Sequence, residues 1–233
     1  MEVIVVPVFP RWIWPWAGVL ALMAGFVNAV AILATHEAAT HLTGVATAAT
    51  AAVALGNWPV AAILGLVALA FVIGAAMSGV LLRAPRWQSM RHVCVPFFLE
   101  AASLVVGGLL LDSYPTTGLT LCAFAVGIQN GTSTITTGAL IRTSHVTGIL
   151  TDLAVSLGQA LQGRPWDRRR ASVCGIVFGG FVIGALAGAW GFHRWGGLAL
   201  LCPAGVAALV GLWHVHPKFA HAHIASATAQ HGE

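Results

Sequence analysis

Residues 41–47 read HLTGVAT, and the chain returns to the same pattern as HVTGILT at residues 145–151. Each copy opens a short apolar stretch, at 42–55 and 146–161. Two further segments recur in the same order, namely GFVN and GIQN at 25–28 and 127–130, and FVIGA at both 71–75 and 181–185. Three matches in one order predict a chain built from two copies of one helical unit.

The composition around these repeats belongs to a membrane protein. Of the 233 residues, 58% are hydrophobic and only 8% are charged, whereas soluble domains carry about 25% charged residues. This shortfall excludes an ordinary cytosolic enzyme, and the high hydrophobicity excludes a disordered chain. The 11 basic residues are scattered, so no nucleic-acid partner is expected. We therefore expect an all-α integral membrane protein whose main partner is the lipid bilayer.

The apolar stretches predict how the chain crosses the membrane. Eight stretches are apparent, at 16–34, 42–55, 59–82, 92–111, 116–136, 146–161, 171–190 and 196–214. Six approach the roughly 20 residues that a spanning helix needs, while the second and the sixth are shorter. If these two are re-entrant, almost every Arg and Lys lies on the cytoplasmic side together with both termini. The sequence therefore predicts six spans plus two short re-entrant helices.

The repeats divide the chain into four parts. An N-terminal interfacial segment covers 1–15, the two repeats cover 16–115 and 116–215, and a histidine-rich cytoplasmic tail covers 216–233. Three crossings in each repeat imply that the second repeat enters from the opposite face. Inverted repeats of this kind occur in transporters and channels, which bind their solute near mid-membrane where the repeats meet.

Small residues recur at four-residue spacing within the third stretch of each repeat. These positions are Gly74 and Ser78 in the first repeat and Gly180, Gly184 and Gly188 in the second. Such stripes let helix backbones approach closely inside a membrane. We expect these two helices to cross near the pseudo-two-fold axis.

The paired HxTGxxT elements, together with GIQN at 127–130 and RTSHVTG at 142–148, resemble the YoaK family of bacterial membrane proteins. The resemblance extends over about 17–213. Two positions depart from the usual family pattern: Val45 stands where Asn is common, and His145 where an aromatic residue is frequent. The family is filed under a domain of unknown function. The resemblance implies a bacterial inner-membrane protein described loosely as a transporter, without an established substrate.

The two TG elements carry the candidate solute path. Thr43 and Thr147 each precede a glycine at the start of a short apolar helix, which suits an N-cap. A helix that begins inside the membrane directs free N–H groups and about half a positive charge at whatever lies beyond it. Gly44 and Gly148 would allow close backbone approach. The path also takes in Thr47 and Thr151; the competing interpretation is an ordinary cap on a fully crossing helix.

Four further polar residues form repeat-related pairs. Asn28 and Asn130 either line the path or cross-link helices, and the sequence favours neither interpretation. His41 and His145 either donate to a solute and shuttle protons, or are polar residues at a helix interface. They do not suffice as metal ligands, since no carboxylate or thiolate accompanies them, and no metal or other cofactor is expected.

Two acidic residues lie within apolar stretches. Glu100 is near mid-bilayer by its position after Arg91 and has no local structural role in sequence, so it is the candidate proton-coupling group. Asp152 is best explained as a first-turn carboxylate that complements a helix N-terminus, with Arg142 as a partner.

The sequence thus predicts passive or proton-coupled movement of a small polar or anionic solute across a bacterial inner membrane. No catalytic motif such as GxSxG, HExxH or a P-loop occurs, so an enzyme is not expected. The main alternative is an accessory or structural subunit that packs against a larger membrane complex, or a homo-oligomer. A membrane enzyme built from His, Thr and Asp is the third alternative.

Overall fold

The computed structural model describes residues 13–82, 93–136, 146–166 and 168–215. All regular structure within these ranges is helical. The helices are α1 Ile13–Thr35, α2 Leu42–Ala54, α3 Trp58–Leu81, α4 Cys94–Leu111, α5 Pro115–Thr136, α6 Val146–Leu161, α7 Arg168–Trp195 and α8 Leu201–Val215, with a short 3-10 helix at Gly196–Leu200. The expectation of an all-α protein is confirmed.

Within the described ranges, four helical segments are long and apolar enough to cross a membrane: 14–35, 58–81, 94–111 and 171–215. The last one comprises α7 and α8, which are separated by a bend at Gly196 (φ 56°). Helix α5 is 22 residues long but is rich in hydroxyl and amide side chains. Helices α2 and α6 are shorter apolar helices of 13 and 16 residues. These lengths are compatible with a multi-pass membrane protein.

The turn between α2 and α3 is encoded locally. Gly56 adopts a left-handed conformation (φ 69°) that ends α2. Asn57 then caps α3 by accepting a hydrogen bond from the Val60 N–H at 3.4 Å, and Pro59 occupies the first turn, where a missing N–H costs nothing. As a result α2 folds back antiparallel along α3.

Close packing of small residues holds the long helices together. Helix α1 packs most extensively on α7, and α3 packs most extensively on α5. At Gly184 in α7 a Cβ atom would overlap the Leu22 carbonyl group of α1, and at Gly74 in α3 it would overlap the Phe124 carbonyl oxygen of α5. Gly180 and Gly188 lie against α1 in the same way.

The small-residue stripes therefore do not pack on each other. Ser78 also faces α5, where its hydroxyl donates to the Ile128 carbonyl at 2.8 Å. The expectation that the third helices of the two repeats cross each other is wrong: each stripe packs on the first helix of the other repeat. The spacing of small residues defines a face for close approach, but it does not identify the helix that fills it.

Helix α4 joins the bundle through α5, α8 and the 3-10 helix. Asp112, which follows α4, accepts hydrogen bonds from the Gly197 N–H with both carboxylate oxygens, at 3.0 and 3.1 Å. This carboxylate satisfies an N–H group at the start of the 3-10 helix and so links the α4–α5 turn to the bend between α7 and α8.

Candidate functional site

A cavity of about 700 Å³ lies where the N-terminal ends of α2 and α6 come together. Five helices and the loop before α2 contribute to its wall. The lining residues are Asn28, Thr40, His41, Leu42, Thr43, Phe71, Val146, Thr147 and Phe181. The two TG elements, which are about a hundred residues apart in sequence, therefore face a common space.

Helix α2 begins beside the interior of the neighbouring helices α1 and α3 and not beside their ends. The backbone N–H of Thr40 donates to Asn28 Oδ1 at 3.2 Å. Asn28 precedes the end of α1 at Thr35 by seven residues, or about 10 Å of helix. The loop between α1 and α2 consequently folds back along α1 before α2 begins. On α3, Phe71 is thirteen residues beyond Trp58, or about 20 Å along the helix, so the cavity is level with the middle of α3.

The N-terminus of α2 has no side-chain cap. The last non-helical residue is His41 (φ −102°, ψ 70°), and no side-chain hydrogen bond caps the helix. Thr43 is the second helical residue, so the prediction that it serves as the N-cap is wrong. The first-turn N–H groups of α2, which have no helical acceptor, end at the cavity. Thr147 has the same place in α6, which begins at Val146, while His145 and Arg142 lie outside the described residues.

Several polar side chains of the cavity have hydrogen-bonding groups without a partner in the described part of the chain. Within the described part of the chain, the hydroxyls of Thr40, Thr43 and Thr147 make no hydrogen bond, nor does the His41 ring. In contrast, the Thr47 hydroxyl donates to the Thr43 carbonyl at 2.8 Å, and the Thr151 hydroxyl donates to the Thr147 carbonyl at 2.9 Å. Neither Thr47 nor Thr151 lines the cavity.

Other residues predicted for the path lie outside the cavity. Gly44 sits against the His41 ring, and no described residue lies within 4 Å of a Cβ placed at Gly148. The expected close backbone approach stays a prediction at both glycines. The Asn130 side chain donates from Nδ2 to the Val126 carbonyl at 3.1 Å in its own helix.

Glu100 is buried in the bundle, away from the cavity. Its side chain is 1% exposed, and Oε2 has no hydrogen-bond partner in the described part of the chain. Two turns further along α4, Gly107 packs against Cys122 of α5. Gly107 is seven residues after Glu100. Because α4 and α5 run antiparallel, the α5 residue level with Glu100 lies seven residues after Cys122, and this residue is Gln129. Gln129 in turn donates from Nε2 to the Leu20 carbonyl of α1.

Sequence reasoning missed five residues of the cavity, and the sequence carries a signal for three of them; the five are Thr40, Leu42, Phe71, Val146 and Phe181. Phe71 and Phe181 are the first letters of the repeated FVIGA segment, and they occupy related places in the cavity wall. Thr40 precedes His41 as Ser144 precedes His145, so a hydroxyl before the histidine recurs in both repeats.

The chemistry of this wall suits reversible binding. Among the described lining residues none is acidic and none is Lys or Arg, and no group of three or more His, Cys, Asp or Glu in the described ranges could hold a metal ion. Hydroxyl and amide groups occur together with aromatic and aliphatic surface. Such a mixture is typical of pockets for small molecules.

Comparison with known protein families gives one finding. The family model for DUF1275, described as a protein of unknown function, matches residues 16–213. The match covers most of the chain, which therefore belongs to the DUF1275 family. Comparisons with curated proteins and with solved structures gave no match.

Proposed function

We propose that this DUF1275 protein is a YoaK-like protein of the bacterial inner membrane that moves a small polar or anionic solute. The solute would pass through the cavity between α2 and α6. One observation carries the proposal: Thr43 and Thr147, from two separate HxTG elements, line the same cavity with hydroxyls that make no hydrogen bond to other described residues. The proposal requires no catalytic residue, metal or cofactor.

The proposed architecture has six spans in two inverted repeats, 16–115 and 116–215, between the interfacial segment 1–15 and the tail 216–233. The spans are α1, α3, α4, α5, α7 and α8, while α2 and α6 are re-entrant from opposite faces. Matching contacts support the repeats. Gly25 of α1 lies against Phe181 of α7, and its counterpart Gly127 of α5 lies against Phe71 of α3.

The proposed orientation places both termini in the cytoplasm, which follows the distribution of Arg and Lys along the sequence. In this orientation the N-termini of α2 and α6 approach mid-membrane from opposite sides. Broken helices that meet in this way form the solute site of several transporter folds.

Two matched double variants in proteoliposomes test the function. The flux panel comprises chloride, nitrate, butyrate, glycerol and urea, each compared with empty vesicles. The double variant Thr43→Val with Thr147→Val removes two hydroxyls that make no hydrogen bond to described residues. We expect flux of the transported solute to fall by about tenfold or more. Thr47→Val with Thr151→Val removes hydroxyls that bond their own helix, and we expect flux within about twofold of the unmodified chain. Equal loss in both variants, or no protein-dependent flux of any solute, contradicts the proposal.

Glu100 is the proposed proton-coupling group and would act through α5. This helix faces Glu100 and packs at Gly127 against Phe71, a residue of the cavity wall. Within the described residues, the other titratable side chains on α4 and the helices packed on it are Cys94, Cys122, Cys202 and His214, and no Lys or Arg is among them.

Glu100→Gln keeps the size of the side chain but removes its proton exchange. We expect this variant to bind solute normally and to lose the pH dependence of flux. Gln129→Glu places a second carboxyl at the same level of the bundle and serves as a comparison. An unchanged pH profile in Glu100→Gln excludes Glu100 as the coupling group.

An accessory role is the second candidate, and helix α6 favours it. None of its residues is buried, and its principal neighbour is α7. A partner subunit or a second copy of the chain would cover this surface. If purification in mild detergent yields a second protein at constant stoichiometry, and the vesicles show no flux, the accessory role replaces the transport proposal.

A further inference from the structure

We infer that the solute of this cavity is a small monocarboxylate, meaning one carboxylate group attached to a short apolar body. The inference rests on the proposed function and narrows its solute class. Four features of the cavity lead to it: the balance of donors and acceptors, the charge at the helix ends, the state of the Thr40 hydroxyl and the apolar surface.

The free hydrogen-bonding groups of the cavity are mostly donors. Asn28 Oδ1 already accepts from the Thr40 N–H, so the amide of Asn28 offers the cavity its Nδ2 hydrogens. The first-turn N–H groups of α2 and α6 are also donors, and the three hydroxyls can donate. A wall of this kind favours a solute that is rich in acceptor oxygens.

The charge at the two helix ends matches a single negative charge. Each helix N-terminus is equivalent to about +0.5 of an elementary charge, so two of them together compensate about one. No Lys or Arg among the described lining residues adds to this. A dianion such as sulfate would keep one charge uncompensated in an apolar bundle, which is costly. The geometry therefore favours a monovalent anion.

Thr40 gives an independent indication that a ligand belongs here. Its side chain is only 7% exposed and lines the cavity. Its hydroxyl makes no hydrogen bond within the described part of the chain and is open to the cavity. A carboxylate oxygen in the cavity would accept the missing hydrogen bond.

The rest of the cavity wall is apolar and therefore favours an apolar group on the solute. Phe71 and Phe181 occupy related positions in the two repeats, and Leu42 and Val146 lie next to the helix ends. Ring edges carry partial positive charge and attract carboxylate oxygens, while ring faces and aliphatic side chains favour hydrocarbon. A cavity of about 700 Å³ is far larger than a halide needs and lies in the range of small-molecule pockets.

Binding to the purified full chain in detergent tests the inference. Sodium butyrate and benzoate are compared with butyramide, succinate and chloride by calorimetry at pH 7.5 and constant ionic strength. We expect the two monocarboxylates to bind, and butyramide and succinate to bind at least about tenfold more weakly. Thr40→Val should weaken butyrate binding by about 10–100-fold. Thr40→Ser, which keeps a hydroxyl, and the control Thr47→Val should both bind butyrate within about threefold of the unmodified chain.

The outcomes separate this inference from the proposed function. Butyramide binding as tightly as butyrate overturns the inference, as does Thr40→Val binding butyrate normally. If chloride or glycerol crosses the vesicles while no monocarboxylate binds, the solute class is wrong and the transport proposal stands. If no solute of the flux panel crosses, the proposed function itself is overturned.

Discussion

Two glycines of α7 should respond in opposite ways to the same substitution. At Gly184 an added methyl group would overlap the carbonyl group and Cα of Leu22. Because these are backbone atoms of α1, they cannot rotate away, and overpacking of this kind costs about 1–3 kcal/mol. At Gly179, five residues earlier, an added methyl group would meet no atom of the described residues within 4 Å. Ala there gains the helix preference of about 0.5–1 kcal/mol over Gly.

Thermal unfolding of the purified variants measures both effects. For a chain of this size, 1 kcal/mol corresponds to about 2–4 °C in Tm. Gly184→Ala should therefore lower Tm by about 2–12 °C, and Gly179→Ala should leave Tm unchanged or raise it by about 1–4 °C. The matched pair at Gly74 and Gly65 of α3 should behave likewise, since a methyl group at Gly65 would also meet no described atom within 4 Å. Equal Tm values for Gly184→Ala and Gly179→Ala would refute the close α1–α7 packing.

Three other predictions concern the packing and the topology. Asp112→Ala should lower Tm by about 2–4 °C, because Asp112 is exposed and its bonds to the Gly197 N–H contribute only about 1 kcal/mol after solvent screening; an unchanged Tm excludes this link. Ser78→Ala should lower the free energy of unfolding by about 0.6–1.7 kcal/mol, because it removes the hydrogen bond between α3 and α5. Thermal unfolding measures this loss, and an unchanged Tm would contradict the prediction. Single cysteines at Trp58 and Gln162 should react with impermeant maleimide only from the periplasm and only from the cytoplasm, respectively, and cytoplasmic labelling at Trp58 excludes six spans.

Hydropathy alone predicted the helices well, for a simple physical reason. A chain in lipid must satisfy its backbone within each segment, so apolar length and helix length coincide. The stretch at 59–82 corresponds to α3 at Trp58–Leu81. The stretch at 171–190 is shorter than α7, Arg168–Trp195, because Arg and His at the ends of a helix continue it without being apolar.

The site was predicted only in part, because repeats in sequence identify equivalent residues but not their environments. The HxTG repeat singled out Thr43 and Thr147, and both line the cavity. Asn130, placed in the path by its equivalence to Asn28, is not among the residues that line the cavity, and its Nδ2 donates to the Val126 carbonyl of its own helix. The contribution of Thr40 depends on a loop that folds back along α1, and this loop is fixed by a hydrogen bond to Asn28, which no periodicity in the sequence encodes.

The central claim is that the N-terminal ends of α2 and α6 face one cavity, and cross-linking in membranes tests it most directly. In a chain with its four cysteines replaced by alanine, Thr43→Cys and Thr147→Cys are joined with a short bismaleimide, and a protease site introduced within 83–92 separates α1–α3 from α4–α8. The account predicts that the two fragments stay linked after cleavage. It also predicts no link for Thr50→Cys with Gln159→Cys, which lie toward the other ends of the same two helices. Linked fragments for the second pair and separate fragments for the first would contradict it.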